Sequence, residues 1–248
     1  MNLAVVILTF NEERHIGETI ASARQAADEI IVVDSGSTDR TVEIARAAGA
    51  KVFFRSWDDD FAAQRNFAGD KTDADFLFHL DADERISKEL AASLKALAAE
   101  NRQKIFVFRR VNKVFGKTIK YGAMRPDRVK RLYPRGKAVW EGKVHENLSS
   151  ALPTEAAKGD ICHYTYENWE LFLNKVNKYT TIWAQSARAR GKKTSLAAAF
   201  GHGFFAFCKD FFLKLGFLAG IPGFITCYMH SLYTMTKYLK LLQLQGKE

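Results

Sequence analysis

Leu3 to Leu8 is an unbroken apolar run, rich in β-branched residues and followed at once by polar ones. It is too short for a buried helix and predicts a central parallel strand, covered on both faces. Ile30–Val33, Val52–Phe54, Phe76–Leu80 and Ile105–Phe108 repeat the signature. Helical spacing fills the gaps. A helix is predicted over Glu12–Gln25. A second follows Thr38 as its cap, with Val42, Ala45 and Ala48 on one face and Gly49 ending it. Gln64, Arg65 and Asn66 fall on a short helix after Asp58–Asp60, and Ser87 caps an alanine-rich helix running through Ala99. This alternation predicts a Rossmann-type, doubly wound sheet over residues 1–110. In such sheets ligands bind beyond the carboxyl ends of the strands. Three of those ends carry polar clusters: Thr9-Phe10-Asn11-Glu12, Asp34-Ser35-Gly36-Ser37 and Asp81-Ala82-Asp83-Glu84.

Residues 111–165 read as loop-rich and basic, with Arg125, Arg128, Lys130, Arg131, Arg135 and Lys137. From Glu167 the pattern is helical. Phe204, Phe207, Phe211, Leu215 and Leu218 form one apolar stripe; Tyr228, Leu232, Met235, Leu239 and Leu242 form another. Two helices packed on the rest of the protein would account for both. Lys209, Lys214, Lys237 and Lys240 beside the stripes instead suit helices lying in a bilayer interface. The uncharged run Leu215–Met229 is broken by Pro222 and falls short of the ~20 residues of a span. Peripheral attachment is the expectation, with a shallow re-entrant pair as the alternative.

The chain has 248 residues, 47% hydrophobic and 26% charged, which suits one large α/β domain with an appendage. A net charge of +9 points to anionic partners: nucleic acid, acidic lipid or sugar phosphates. Cys162, Cys208 and Cys227 are too scattered for a disulfide framework or a zinc ribbon. With no signal-peptide pattern at Met1, the expectation is a reduced, cytoplasmic protein.

Asp81 and Asp83, one residue apart past a strand, make a hard oxygen site suited to Mg2+ or Mn2+ shared with a diphosphate. Left alone, the two carboxylates would repel, and a cation resolves that. The alternative is a solvated turn. Asp34 follows the second strand, where an acid can read a nucleoside or merely hold the Gly36 turn. No Gly-x-Gly-x-x-Gly follows the first strand, which argues against a dinucleotide. Arg65 could reach a phosphate or form a surface ion pair. His145-Glu146 and His163 complete the polar candidates, and a carboxylate there could take a proton from an acceptor hydroxyl.

Val6-Ile7-Leu8-Thr9-Phe10-Asn11-Glu12, Ile31-Val32-Val33-Asp34-Ser35-Gly36-Ser37-Thr38-Asp39 and Leu80-Asp81-Ala82-Asp83-Glu84 resemble, in order and spacing, the signature of family-two inverting glycosyltransferases. Ala63-Gln64-Arg65-Asn66, Trp140-Glu141-Gly142-Lys143-Val144-His145-Glu146 and His163-Tyr164 resemble the branch of bacterial lipopolysaccharide core β-glucosyltransferases. Many relatives have two acids where this chain has Asp34-Ser35.

The resemblance implies an α/β GT-A fold over residues 1–165, a mostly parallel sheet with helices on both faces, and a helical C-terminal region over residues 166–248. It implies that Thr9, Asn11, Glu12 and Asp34 hold a uridine. Asp83 would bind Mg2+ or Mn2+, Asp81 would support the ribose or the metal, and His163 would add a late metal or diphosphate contact. Glu146 stands where the fold places its catalytic base. The implied reaction is one in-line displacement that moves a hexose, first of all glucose from UDP-glucose, onto a lipopolysaccharide core or other lipid-linked acceptor. The expected setting is the inner face of the cytoplasmic membrane, without nucleic acid as a partner. A metal-dependent phosphohydrolase and a non-catalytic nucleic-acid-binding protein are the alternatives. Neither accounts for all three strand-end clusters.

Overall fold

The structure is a computed structural model and describes residues 1–143 and 146–246. Contacts within the chain divide it into two compact units. One holds Met1–Arg110 and Asp127–His163; the other holds Val111–Pro126 and Tyr164–Glu248.

In the first unit the apolar runs become β1 (Leu3–Thr9), β2 (Glu29–Asp34), β3 (Lys51–Phe54) and β4 (Phe76–Asp81). They pair in parallel in the order β3-β2-β1-β4. Successive side chains of β1 serve opposite layers, as strand geometry requires. Leu3, Val5 and Ile7 meet Ile16 and Ile20 of α1 (Ile16–Ala23), Ala45 of α2 (Thr41–Ala47) and Leu90 and Leu94 of α4 (Lys88–Ala99). Ala4 and Val6 join Ala62 and Ala68 of α3 (Phe61–Gly69) in the other layer. With both faces covered, no polar alternation survives in the strand.

Two helix starts differ from expectation. The first helix begins at Ile16 rather than Glu12, because Asn11 takes a left-handed turn at φ 53° and Glu12 hands its N–H to Thr41 Oγ1. Thr38 does not cap the second. Its N–H goes to Asn11 Oδ1, and Asp39 Oδ1 accepts the Thr41 N–H at 2.9 Å instead. Ser87 caps α4 as predicted, its Oγ accepting the Leu90 N–H, and Asp60 caps α3 in the same way.

The stretch 111–165 is not loop-rich. β5 (Glu84–Ile86), β6 (Ile105–Val114), β8 (Asp127–Pro134) and β11 (Thr154–Tyr166) extend the sheet as β4-β8-β6-β11-β5. β8 is antiparallel to both β4 and β6, and β11 to β5. β9 (Val139–Glu141) and β10 (Asn147–Ser149) form a separate ribbon. Beyond Ile105–Phe108, the predicted start of β6, these strands escape notice because their charges are paired within the ladder. Arg109 bonds Asp160 and Arg110 bonds Asp127, so polar residues occupy positions that an apolar alternation would mark.

In the second unit, β7 (Lys117–Thr118) turns back on Lys113 and Val114 of β6. Asn168 caps α5 (Trp169–Ala189) and Ser195 caps α6 (Leu196–Cys208). A π turn, Lys209–Leu213, and a 3-10 turn, Gly216–Ala219, form an elbow leading into α7 (Gly220–Gln245). Phe172, Val176, Ile119 and Met229 make the core, with Leu232 packed against it. Met235 faces α6 at Gly203, where a Cβ would stand 2.9 Å from its own. Much of the second apolar stripe is thus packing surface. In the first stripe Phe207 and Phe211 stack on each other and edge onto Phe224, whereas Phe204, Leu215 and Leu218 are exposed.

Candidate active site

Parallel pairing sets three strand ends level. Thr9 is the ladder partner of Asp34, and Leu8 is that of Asp81. The loops beyond them hold one another. Asn11 donates its N–H to Ser37 Oγ and accepts the Thr38 N–H, both at 2.8 Å. Asp34 accepts from the Gly36 and Ser37 N–H groups at 2.9 and 3.0 Å and from the Ser37 hydroxyl at 2.5 Å. A carboxylate has about four acceptor positions; the turn takes three. Thr9 Oγ1 is buried and has no hydrogen-bond partner among the described residues. A group in that state costs about 1–3 kcal/mol unless something occupies it.

Asp81 is clasped by two arginines from distant elements. Arg65 of α3 places Nη2 2.8 Å from Oδ1, and Arg131 of β8 places its Nη2 2.8 Å from Oδ2. Burial would raise the Asp81 carboxyl, but the Arg131 and Arg65 charges outweigh it and hold it well below the usual carboxylate range. Two guanidinium cations thus offset the Asp81 side of the repulsion expected between Asp81 and Asp83. Arg131 also reaches Glu84, which is fully buried and accepts the Asp81 N–H at 2.9 Å. The Asp-x-Asp turn is thus fixed from below.

Arg65 also carries Glu146. Its Nε and Nη2 lie 3.3 and 3.1 Å from Glu146 Oε1. One side chain therefore brings the expected base to the expected donor site. Its Nη1 is buried without a partner among the described residues. That is an uncommitted pair of N–H donors of the kind a phosphate oxygen takes. Asn66, the next residue, grips the Trp140 backbone from both sides, its Nδ2 donating to the carbonyl at 2.9 Å and its Oδ1 accepting the N–H at 3.0 Å. Gln64 donates to the Arg55 carbonyl. The three polar residues of this helix thus share no partner. Glu141 is exposed on β9. His145 and Val144 lie outside the described residues.

Beneath Arg65 lies an aromatic floor. The Trp140 ring sits 4.8 Å from its guanidinium carbon. Trp140 Nε1 donates to the Tyr133 hydroxyl at 2.9 Å, and that hydroxyl lies 2.7 Å from His79 Nε2. Burial, then the Arg65 and Arg131 charges, push the His79 pKa well down, so the ring is neutral. Arg131, Glu84, His79 and Trp140 had no assigned role from sequence. The available signal was a charge beside buried apolar neighbours, as in Arg131-Leu132-Tyr133.

Asp83 and His163 are brought together: His163 Nε2 lies 3.3 Å from Asp83 Oδ2. Burial alone would lower the His163 pKa, but the hydrogen bond and charge of Asp83 raise it. Among the described residues no three His, Cys, Asp or Glu side chains gather closely enough to cage an ion. One carboxylate and one imidazole would instead suit a divalent ion that takes its remaining ligands from a diphosphate and water.

The model of the family described as Glycosyl transferase family 2 matches residues 4–158, which include every residue of this site except His163. An uncharacterized glycosyltransferase of Rickettsia typhi is 27% identical over 262 residues, covering 99% of this chain and 88% of its own. The lipopolysaccharide core biosynthesis glycosyltransferase LpsC of Rhizobium meliloti is 29% identical over 253 residues, covering 97% and 92%. Among solved structures, S. aureus TarS is similar over 92% of this chain and 48% of its own, with a TM-score of 0.47 and 16% identity. Mycobacterium tuberculosis glucosyl-3-phosphoglycerate synthase, in complex with Mn2+ and UDP-glucose, is similar over 45% and 44%, with a TM-score of 0.36 and 23% identity. The wound sheet, mixed rather than mostly parallel, with its polar clusters at the strand ends and helices following, is the α/β GT-A class that the motifs imply. The chain belongs to glycosyl transferase family 2.

Proposed function

We propose that this glycosyltransferase moves a hexose, first of all glucose from UDP-glucose, onto a lipopolysaccharide core or other lipid-linked glycan at the inner face of the cytoplasmic membrane, with inversion. The observation that carries the reading is the Arg65 bridge, which puts Glu146 and Asp81 on one guanidinium. Donor and acceptor chemistry then share one place. The likeness to LpsC supports a lipopolysaccharide core acceptor.

In this reading Thr9, Asn11, Glu12 and Asp34 hold the uridine, Asp81 and Arg65 the ribose and diphosphate side. Arg65 Nη1 supplies donors to a phosphate oxygen. Asp83 and His163 would hold the divalent ion, which offsets charge on the departing diphosphate. An imidazole ligand favours Mn2+ over Mg2+. Glu146 takes the acceptor hydroxyl proton as that oxygen bonds to the anomeric carbon. The bond from that carbon to the diphosphate breaks on the opposite side, so an α donor gives a β product.

The test is a donor screen on the purified chain with a core-oligosaccharide acceptor and Mn2+, read by mass. A hexose added from UDP-glucose and a β linkage by NMR are expected. Transfer from a non-uridine donor alone, or retention of the α linkage, overturns the reading.

A further inference from the structure

The second unit carries an apolar surface that its own packing leaves open. Twelve of the chain's twenty-three exposed large hydrophobic residues among those described fall between Leu196 and Tyr228. They are densest at the elbow: Phe212, Leu213, Leu215, Phe217, Leu218 and Ile221, with Leu213 and Ile221 each 76% exposed. Exposure here does not follow a helical stripe. It runs through nearly every position, as at a protruding tip rather than one face of a helix. Between Phe211 and Tyr228 the only charged residue is Lys214. It turns inward to Asp210, 2.8 Å away, which is fully buried and also bonded to His230 Nδ1.

The tip is built stiffly. A Cβ on Gly223 would stand 2.0 Å from the Gly216 carbonyl oxygen, and one on Gly216 would stand 2.6 Å from Cys227 Sγ. Thr226 returns its hydroxyl to the Pro222 carbonyl. A loop awaiting a protein partner can be loose; this one is packed to backbone contact and still turns its large side chains outward.

We propose that the elbow Lys209–Phe224 is a membrane-insertion tip that enters the apolar half of one leaflet. Its occupant is lipid. A protein face needs polar groups to fix register, and the charges of this elbow lie at its base, Asp210 buried with Lys214 turned in to it and Lys209 beside them, whereas a bilayer solvates the apolar tip beyond on every side. The chain's net charge of +9 complements an anionic membrane surface. Leu196–Leu213, α6 continued by its π turn, is an 18-residue helical run long and apolar enough to cross a membrane by length and composition. The elbow turns the chain back on itself, with Ser231 of α7 donating its hydroxyl to the Gly203 carbonyl of α6 at 2.8 Å, so the tip enters and returns on the same side. This deepens the membrane part of the proposed function and is independent of the transfer chemistry.

The test uses the full chain and vesicles of phosphatidylethanolamine and phosphatidylglycerol. Wild-type protein is expected to float with the vesicles, less in high salt but not to zero. The combined variant Phe217→Ser, Leu218→Ser, Ile221→Ser is expected to bind about tenfold more weakly or worse. A control on α5, Leu173→Ser with Ile182→Ser, is expected to bind as wild type. Amide hydrogen exchange of the wild type should slow over residues 212–221 when vesicles are added, a reading that needs no variant to fold. Flotation of the triple variant at wild-type strength, with no slowed exchange at the tip, overturns the insertion tip while leaving membrane attachment standing. A lipid-free dimer that the triple variant abolishes makes the elbow a contact between copies and overturns it too. Sugar transfer to a soluble acceptor is measured in parallel, so a failure of the transfer reading shows separately.

Discussion

Arg131 meets Glu84 through a single nitrogen, Nη2, which lies 2.9 Å from one carboxylate oxygen and 3.1 Å from the other. The glutamate is wholly enclosed, the arginine 4% exposed. Forty-seven residues separate them in sequence, and between them they hold the turn that presents Asp81 and Asp83.

Removing one side of that pair strands the other charge. Arg131→Met should therefore destabilise the protein by about 3–5 kcal/mol, read as the free energy of chemical unfolding. Arg131→Lys keeps a charge but loses the fork. It should fold and show a raised KM for the donor with a smaller change in kcat. Arg131→Met unfolding at the wild-type denaturant midpoint would refute the structural role.

Glu146→Gln preserves size and removes the proton acceptor. Turnover should fall roughly 10²- to 10⁴-fold, with UDP affinity by calorimetry nearly unchanged. Glu141→Gln should turn over normally, since Glu141 lies exposed on β9. If the two variants trade places, the base is Glu141.

Activity should vanish in EDTA and return with Mn2+. Asp83→Ala and His163→Ala should each weaken Mn2+ binding in the presence of UDP, followed by electron paramagnetic resonance. Undiminished transfer in EDTA would remove the metal from this site.

Asp34 has one acceptor position left after its turn, enough for the imide N–H of uracil. UDP should bind more tightly than GDP or CDP with Mn2+ present, and Asp34→Asn should narrow the difference. Equal affinities for all three in the wild type would exclude a base-reading role.

His79 is buried neutral beside two arginines, its pKa pushed well below the usual 6.5. Below that value the unfolded chain takes up a proton that the folded chain refuses. Folding stability should fall as pH drops below 6.5, by up to about 1.4 kcal/mol per pH unit from this one group. Above 6.5 the contribution is flat. His79→Gln should remove that slope, measured as unfolding free energy between pH 7 and pH 5. Parallel curves for the two proteins would show that His79 charges in place.

The parallel half of the sheet was legible because burial on both faces writes a strand as a continuous apolar run, and β1, β2 and β4 stand where those runs are. Thr9, Asp34 and Asp81 were legible as strand-end residues for the same reason. The antiparallel half was legible only at Ile105–Phe108, the apolar start of β6. In the rest of β6 and in β8 and β11 charged residues find partners across the ladder, such as Arg109 with Asp160, and leave no period to read. Glu84 was visible in its motif, but its partner Arg131 looked like one more member of a basic stretch. Pairing across forty-seven residues has no local signature. Thr38 misled because Asp39, one position on, could do the same work with a carboxylate.

Asn66 holds the Trp140 backbone by both its donor and its acceptor, one residue along from the arginine that meets Glu146. The segment that runs from β9 toward Glu146 therefore departs from a riveted point. If Glu146 is the base proposed above, substitutions downstream of Glu141 should alter which acceptor is used while donor affinity stays put, because the rivet anchors the near end of that segment to α3 and not to its own neighbours.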